Sequence, residues 1–186
     1  RTNRKVGRVK TLGSQSANEG VNKAVLREAV AIQMTWPGAP TINYGDEAGV
    51  CGFTDPDNRR TYPWGNEDKE LIRFHRDMIK IHKESNAFLY GSLKFLASYY
   101  NLIGYVRFCD RDHYIIIVNN NDHEIEREFS VWESGIPKRC QVEQIMMTDD
   151  TGYTTKVMPH SVLAGKLKLK LPKTSVTILR YREELH

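Results

Sequence analysis

The stretch GAPTINYGDEAGVCGFTDPDNRRTYPW, residues 38–64, joins a short apolar segment to a long polar loop. Its first part is typical of a buried strand of only a few residues, centred on positions 41–44. From Asp46 to about Asn66 the chain carries acidic, basic and aromatic residues, and few of them could be buried. Parallel strands pair only through a crossover connection, and no earlier strand–helix unit precedes this segment. The predicted strand must therefore find its neighbours elsewhere.

Helical patterns flank this stretch on both sides. Residues 22–36 have apolar side chains at helical spacing, with Asn22 as a possible cap and Pro37-Gly38 as a stop. Residues 67–85 predict a second helix, whose acidic first turn and basic last turn suit the helix dipole. One apolar stripe runs along this second helix and consists of Leu71, Phe74, Met78 and Ile81.

After Asn86 the pattern changes to short segments rich in β-branched and aromatic residues, separated by turn signals. Such spacing is typical of an antiparallel sandwich. The segment KLKLKL (166–171) alternates strictly, which favours a half-buried strand whose lysines face water and protect a sheet edge over a nucleic-acid footprint. The predicted strands are 91–97, 102–109, 114–118, 124–131, 141–147, 166–171 and 175–181.

Composition narrows the function classes. The 186 residues are 40% hydrophobic and 27% charged, which is ordinary for a globular protein, and no apolar run is long enough to span a membrane. The net charge of +4 is interleaved along the chain, so no nucleic-acid partner is expected. The six histidines show no metal-ligand spacing, no calcium loop is visible, and no metal or cofactor is expected. The polar, basic start without Met predicts a fragment or a processed chain.

Three cysteines, Cys51, Cys109 and Cys140, lie far apart and form no C-x-x-C pair. The odd number of cysteines, together with the absence of any N-x-[ST] acceptor, favours a reducing compartment. We therefore expect a cytoplasmic protein, with secretion as the alternative.

Three quoted motifs, taken together, are similar to the end of the catalytic domain of α-amylase-family glycoside hydrolases. They are PGAPTINYGDEAGV (37–50), DPDNRRTYPW (55–64) and HKESNAFLYG (82–91). In that family the first forms the eighth strand of a (β/α)8 TIM barrel, and an antiparallel β-sandwich called domain C closes the chain. The resemblance covers residues 22–186 and is nearest to the neopullulanase and cyclomaltodextrinase branch. It implies an α/β plus all-β fold, with residues 1–86 as a truncated barrel end and residues 87–186 as domain C.

The resemblance also implies a function for the parent protein. A full-length enzyme would hydrolyse or transglycosylate α-1,4 or α-1,6 bonds of α-glucans or malto-oligosaccharides by a retaining mechanism with two carboxyl groups about 5 Å apart. The family's catalytic carboxylates precede this region, and RVKTL (8–12) resembles the segment just after the last of them. No catalytic residue is therefore assigned, and we expect the chain alone to be inactive. A truncated barrel would expose Ile42, Tyr44, Val25, Ile32, Phe74 and Met78, and self-association could cover them.

Asp55 and Arg59 are the candidate substrate-binding residues. In the resembled family this Asp and the Arg four residues later bind a glucose unit on the non-reducing side of the cleaved bond. A carboxylate acceptor beside a guanidinium donor can bracket adjacent sugar hydroxyls. The residue types alone favour an Asx-turn at Asp55-Pro56 with a local ion pair, and the resemblance favours sugar binding.

Four further residues of the stretch have two interpretations each. Asp46 and Glu47 could be catalytic carboxyls, but the resemblance implies a supporting role in the loop. Tyr62 and Trp64 could stack on a pyranose ring, although such a Trp more often packs beneath its loop.

Two other hypotheses remain open. One is a non-catalytic superfamily member, similar to the ectodomain of an amino-acid-transporter heavy chain, which would not need the DPDNR pair. The other is a free-standing carbohydrate-binding sandwich, which would not need the segment 22–85.

Overall fold

The structure, a computed structural model, describes residues 12–13 and 17–183. All of the predicted strands after residue 90 are present, and two further strands, β6 and β7, were not predicted. β7 was not predicted, because Pro159 and the polar residues in the middle of this segment interrupt the alternation of apolar and polar side chains. In the described residues the strands are β1 (Ser92–Tyr99), β2 (Leu102–Cys109), β3 (Asp112–Asn119), β4 (Ile125–Ser130), β5 (Cys140–Thr148), β6 (Tyr153–Thr154), β7 (Met158–Leu163), β8 (Lys166–Leu171) and β9 (Ser175–Arg182).

Every pair of neighbouring strands is antiparallel, in the order β1-β2-β3-β9-β5-β7-β8-β4, with β6 beside β5. The chain's last strand, β9, lies between β3 and β5 near the middle of this path. β3 and most of β9 are buried on both faces, because one face lines the core and a helix covers the other. This accounts for their nearly continuous Ile, Val and Leu content.

The core lies between the two ends of this long path of strands. Gly104 on β2 shows the closure: a Cβ there would lie 2.8 Å from Ile117 Cδ1 and 3.6 Å from Phe129 Cε1 on β4. β2 and β4 are thus packed face to face although six strand steps separate them in the sheet order. The predicted sandwich is confirmed. Its fully buried core includes Val106, Ile115, Ile117, Phe129, Val142, Val162, Leu167, Leu171 and Leu179.

In the part of the chain from residue 17 to 183, which the structure describes, the α-helices are α1 (Lys23–Thr35), α2 (Lys69–Lys83) and α3 (Asn86–Leu89). The first two confirm the predicted helices, trimmed by one or two residues at their ends. Asp68 caps α2, since its Oδ1 accepts hydrogen bonds from the backbone N–H of Glu70 (3.1 Å) and of Leu71 (3.0 Å). Among the described residues no helix has the length and apolar content needed to cross a membrane.

Arg107 on β2 ties the helices α1 and α3 to the sheet. Its guanidinium donates to the carbonyl oxygens of Thr35 (2.8 Å), Phe88 (3.2 Å) and Gly91 (3.1 Å). Thr35 also shares a 2.6 Å hydrogen bond with the buried Tyr105 hydroxyl. The orphan carbonyl at the C-terminus of α1 is thereby satisfied.

The described chain forms two compact units. One contains the described residues up to Asn22 together with Thr41–Asp77, and the other contains Lys23–Pro40 and the chain from Met78 onward. The division falls within α2 and at both ends of the segment that holds α1. The single domain boundary predicted after residue 86 remains a prediction.

Two expectations about the truncated barrel are wrong. Residues 41–43 form no strand, because no other segment among the described residues pairs with them. Phe74 and Met78, which were expected to be exposed, are fully buried, whereas Tyr44 and Val25 are exposed as predicted. The segment 8–11, which resembles the region after the last catalytic carboxylate, lies outside the described residues.

The strand KLKLKL has the predicted alternation, with its leucines buried and its lysines exposed. It is not a sheet edge, however, because β4 pairs with it along its whole length. Its lysines instead form a ladder of ion pairs with β4, at Lys166–Glu128 (2.8 Å), Lys168–Glu126 (3.1 Å) and Lys170–Glu124 (2.8 Å). Each such exposed pair adds little to stability, because solvent and salt screen the attraction between the two charges.

Candidate functional site

The polar loop begins with a tight turn that requires glycine. Gly45 and Gly49 adopt left-handed conformations (φ 83° and 77°) on either side of the 3-10 helix Asp46–Ala48. A Cβ on Gly45 would lie 2.7 Å from Val50 Cγ2, and the backbone N–H of Val50 donates to the Gly45 carbonyl at 3.0 Å. The GDEAG sequence therefore forms a sharp reversal of the chain, and the polar loop begins directly after it.

Asp46 supports this turn. Its N–H donates to the Asn43 carbonyl at 3.0 Å, and its own carbonyl accepts from Gly49 at 3.1 Å. Burial raises the pKa of the Asp46 carboxyl, while a hydrogen bond with the Asn43 side chain acts in the opposite direction. The two bonds of 3.0 and 3.1 Å are made by the backbone of Asp46, and the supporting role of its side chain stays a prediction.

The next part of the loop is closed at its base by a close backbone approach. A Cβ on Gly52 would lie 2.6 Å from Asn58 Cα. Arg60 Nη1 donates to the Cys51 carbonyl at 2.6 Å, and Asp57 N–H donates to the Thr54 carbonyl at 3.0 Å. The segment between Gly52 and Arg60 is thus a compact projection with its own internal hydrogen bonds.

Asp55 and Arg59 form a bidentate ion pair on this projection. Arg59 Nε donates to Asp55 Oδ1 at 2.7 Å, and Nη2 donates to Oδ2 at 3.3 Å. The two side chains are 61% and 76% exposed, so the pair contributes little to folding stability. The carboxylate and the guanidinium retain hydrogen-bonding capacity that faces solvent, and this pairing of acceptor and donor suits vicinal sugar hydroxyls.

Three aromatic rings form a row beside the turn. The ring centroids of Tyr44 and Tyr62 are 6.0 Å apart, and those of Tyr62 and Trp64 are 4.6 Å apart. Trp64 is 80% exposed, so the expectation that it packs beneath the loop is wrong. The sequence could not have shown Tyr44 as a member of this row, because 18 residues separate it from Tyr62.

The aromatic row lines an open groove of about 540 Å³ together with Ile42 and Glu47. Loss of solvation, with the carboxylates of Glu47 and Glu67 nearby, raises the pKa of the Tyr62 phenol. Asp55 and Arg59 are not among the residues that line this groove. Among the described residues, the ion pair thus lies outside the groove that the aromatic row lines.

The histidines of α2 have structural partners. His75 is buried and its Nδ1 lies 2.8 Å from the Leu71 carbonyl oxygen, while His82 Nδ1 lies 2.7 Å from the Met34 carbonyl oxygen. In the part of the chain that the structure describes, no three His, Cys, Asp or Glu side chains are placed to hold a metal ion.

Comparison with known proteins shows that this chain is similar in sequence to glycosidases of the α-amylase family. The chain is 41% identical over 92 residues to amylopullulanase from Thermoanaerobacter thermohydrosulfuricus, which is 45% of this chain and 6% of that protein. It is 33% identical over 120 residues to neopullulanase 2 from Thermoactinomyces vulgaris, which is 62% of this chain and 20% of that protein. No family model matches the chain.

The fold is also found among solved structures. The crystal structure of an Anoxybacillus α-amylase superposes on 95% of this chain and 36% of its own, with a TM-score of 0.74 and 19% identity. The predicted resemblance to the α-amylase family, including its neopullulanase and cyclomaltodextrinase members, is confirmed. The chain spans only a small part of each of these relatives, and the fold that it shares with them includes the β-rich domain.

Proposed function

We propose that this chain is the C-terminal part of a retaining glycosidase that acts on α-glucans, and that Asp55 and Arg59 bind a glucose unit of the substrate. In this proposal residues 1–86 belong to the end of a (β/α)8 barrel and residues 87–186 are domain C. The observation that carries it is the exposed, bidentate Asp55–Arg59 pair on a projection whose shape is maintained by its own hydrogen bonds. The similarity to enzymes named amylopullulanase and neopullulanase supports the substrate class.

The geometry suggests what each group does. The guanidinium donates to sugar oxygens and the carboxylate accepts from sugar hydroxyls, and each orients the other through the two bonds between them. Because this ligand binding precedes the chemical step, the pair positions substrate and does not take part in bond cleavage. In this proposal the catalytic carboxylates belong to the rest of the parent enzyme.

Kinetics of the full-length parent test the proposal. Arg59→Ala should lower kcat/KM on malto-oligosaccharides about 10- to 100-fold, mainly through KM, since a charge-assisted hydrogen bond contributes about 1.5–3 kcal/mol. Arg59→Lys should recover only part of the loss, because an ammonium lacks the planar fork.

Arg111→Ala is the matched control, because Arg111 also lies in an exposed ion pair, with Glu183. An unchanged kcat/KM in Arg59→Ala, or an equal loss in both variants, would contradict the role given to the loop.

A further inference from the structure

Arg59 and Arg60 are neighbours in the chain, but their side chains have different surroundings. The Arg59 side chain is 76% exposed, whereas Arg60 is half-buried and its Nη1 donates to the Cys51 carbonyl oxygen at 2.6 Å. The same nitrogen donates to Asn18 Oδ1 at 3.4 Å. Because a guanidinium is always charged, its hydrogen bond to a main-chain carbonyl is stronger than one between neutral groups. Arg60 is therefore firmly tied to the main chain at the start of the projection.

The Cys51 carbonyl lies next to the glycine turn, which holds the chain before it. Cys51 Sγ donates to the Gly49 carbonyl at 3.5 Å, and the Val50 N–H donates to the Gly45 carbonyl at 3.0 Å. Cys51 precedes the projection and Arg60 ends it. The bond between them therefore joins the two ends of the projection and anchors both to the turn.

Hydrogen bonds within the projection are local. The Arg59 N–H donates to the Pro56 carbonyl at 3.1 Å, and the Arg60 N–H donates to the Asn58 carbonyl at 2.9 Å. Bonds of such short range set the shape of the projection, but they do not set the direction in which it leaves the turn. That direction is set at the base, where the Arg60 bond and the close approach of Gly52 to Asn58 hold the two ends together.

We propose that Arg60 is a positioning residue for the substrate, because its bond to the Cys51 carbonyl holds the projection in the orientation in which the Asp55–Arg59 pair meets a sugar. In this proposal Arg60 contacts neither the sugar nor the reacting bond. The inference rests on the proposed function, which gives the pair its ligand. Its physical basis is that a misplacement of about 1 Å, caused by a residue away from the chemistry, can cost an enzyme about 100-fold in rate.

Arg60 and Arg59 differ in the donor atoms that they use. Arg59 uses two nitrogens of its planar fork on one carboxylate, whereas the Arg60 bonds to Cys51 and Asn18 both come from Nη1. A lysine ammonium can replace a single donor nitrogen, but it cannot replace the fork. Arg60→Lys should therefore retain the positioning role, although Arg59→Lys recovers only part of the Arg59 contribution.

Kinetics of the full-length parent on maltotriose test the proposal. Arg60→Met keeps the apolar stem and removes the donor, so it should raise KM about 3- to 10-fold while kcat changes less than about twofold. Arg60→Lys should stay within about twofold of the original KM. Arg182→Met is the matched control and should leave KM unchanged, because Arg182 Nη2 on β9 also donates to a main-chain carbonyl, that of Glu84.

A double-mutant cycle shows whether Arg60 acts through the pair. In Arg59→Ala the pair no longer exists, so the addition of Arg60→Met should change KM by less than about a further twofold. A contribution of Arg60 that does not pass through the pair would instead raise KM by the same factor in both backgrounds.

Gly52→Ala changes the base of the projection without changing Arg60. The new Cβ would lie 2.6 Å from Asn58 Cα, so the two ends of the projection must move apart. KM should rise as it does in Arg60→Met, and this rise should also vanish in the Arg59→Ala background. An unchanged KM in Gly52→Ala would mean that the base does not control the pair, and the proposal would be wrong.

Three further results would overturn the proposal: an unchanged KM in Arg60→Met, a KM in Arg60→Lys as high as in Arg60→Met, or an undiminished effect of Arg60→Met in the Arg59→Ala background. If Arg59→Ala raises KM by itself, each of these results leaves the proposed function standing. An unchanged KM in Arg59→Ala would contradict the proposed function, and the positioning role of Arg60 would be refuted with it.

Discussion

At the scale of single residues, two of the buried charged side chains in the β-rich unit, which contains Lys23–Pro40 and the chain from Met78 onward, have opposite surroundings. Arg107 donates to three carbonyl oxygens, whereas Glu28 Oε1 has no partner among the described residues. Arg107 connects α1 and α3 to the sheet. Glu28, in contrast, destabilises the folded state when its carboxyl is ionised.

The Glu28 carboxyl should make stability depend on pH. Its pKa is raised from 4.5 to about 7 in the folded chain, so the folded state binds the proton more tightly than the unfolded state. Its stabilising contribution is complete below pH 4.5 and is lost as the pH rises through 7. Glu28→Gln cannot ionise, so it does not lose this stability at high pH. We expect the unfolding free energy of Glu28→Gln minus that of the original chain to be about 2 kcal/mol larger at pH 8 than at pH 5.

Urea denaturation at the two pH values measures this difference. Glu126→Gln is a suitable control, because Glu126 lies in an exposed ion pair with Lys168. If the Glu28→Gln difference were the same at pH 5 and pH 8, the carboxyl would titrate normally and would not be buried as described.

At the scale of elements, the attachment of α1 to the sheet depends on Arg107. Replacing it by Met keeps most of its apolar volume but leaves the carbonyls of Thr35, Phe88 and Gly91 without their donor. We expect Arg107→Met to lower the free energy of unfolding by about 3–5 kcal/mol, measured by urea denaturation. Arg180→Met, which removes a solvent-exposed ion pair with Glu143, should lower the free energy of unfolding by about 1 kcal/mol or less. Equal losses in both variants would mean that Arg107 does not clamp the helix.

The elements also show where the sequence was informative. Helical spacing predicted α1 and α2, and period-two alternation predicted strands such as β2 and β8, because both patterns are local. The prediction of a strand at 41–44 was wrong for the opposite reason. A strand forms only with a partner strand, and no local pattern reveals whether that partner exists. The Lys166–Lys170 ladder was likewise assigned to an edge because the pairing of β4 with β8 joins residues about 40 positions apart.

The candidate site was predictable to a smaller extent. Asp55 and Arg59 were found because they are four residues apart in one recognisable motif. The aromatic row was not predicted as a group, because Tyr44 and Tyr62 meet only through tertiary structure. An unpartnered carboxyl has no signature in sequence.

At the scale of the whole molecule, the loop-rich region 41–66 and the β-rich region 92–182 should differ in local stability. The segment 41–66 contains turns and one 3-10 helix, whereas 92–182 is joined by a continuous antiparallel ladder. Amide hydrogen exchange should therefore be much faster in 41–66 than in β3 and β9, since opening the sheet requires global unfolding. Equally slow exchange in both regions of a monomeric sample would show that residues 41–66 have a core of their own.

The whole chain should also lack turnover. We expect purified chain to release no reducing sugar from starch, pullulan or cyclodextrins, because the proposed catalytic carboxylates lie in the rest of the parent enzyme. A reducing-sugar assay with the full-length parent as positive control makes this measurement. Turnover that persists after repurification would contradict the proposal that the catalytic carboxylates lie outside residues 1–186.

The central position of β9 has a consequence for synthesis on the ribosome. Translation delivers β1–β3 first and β4–β8 next, but these two groups of strands are joined only when residues 175–182 have left the exit tunnel. Until then the nascent polypeptide holds two sheet fragments whose inner edges, β3 and β5, both lack the strand that pairs with them in the folded chain. A premature stop codon just before residue 175 would release this species permanently, so the loss of β9 would be expected to prevent assembly of the entire β-rich unit.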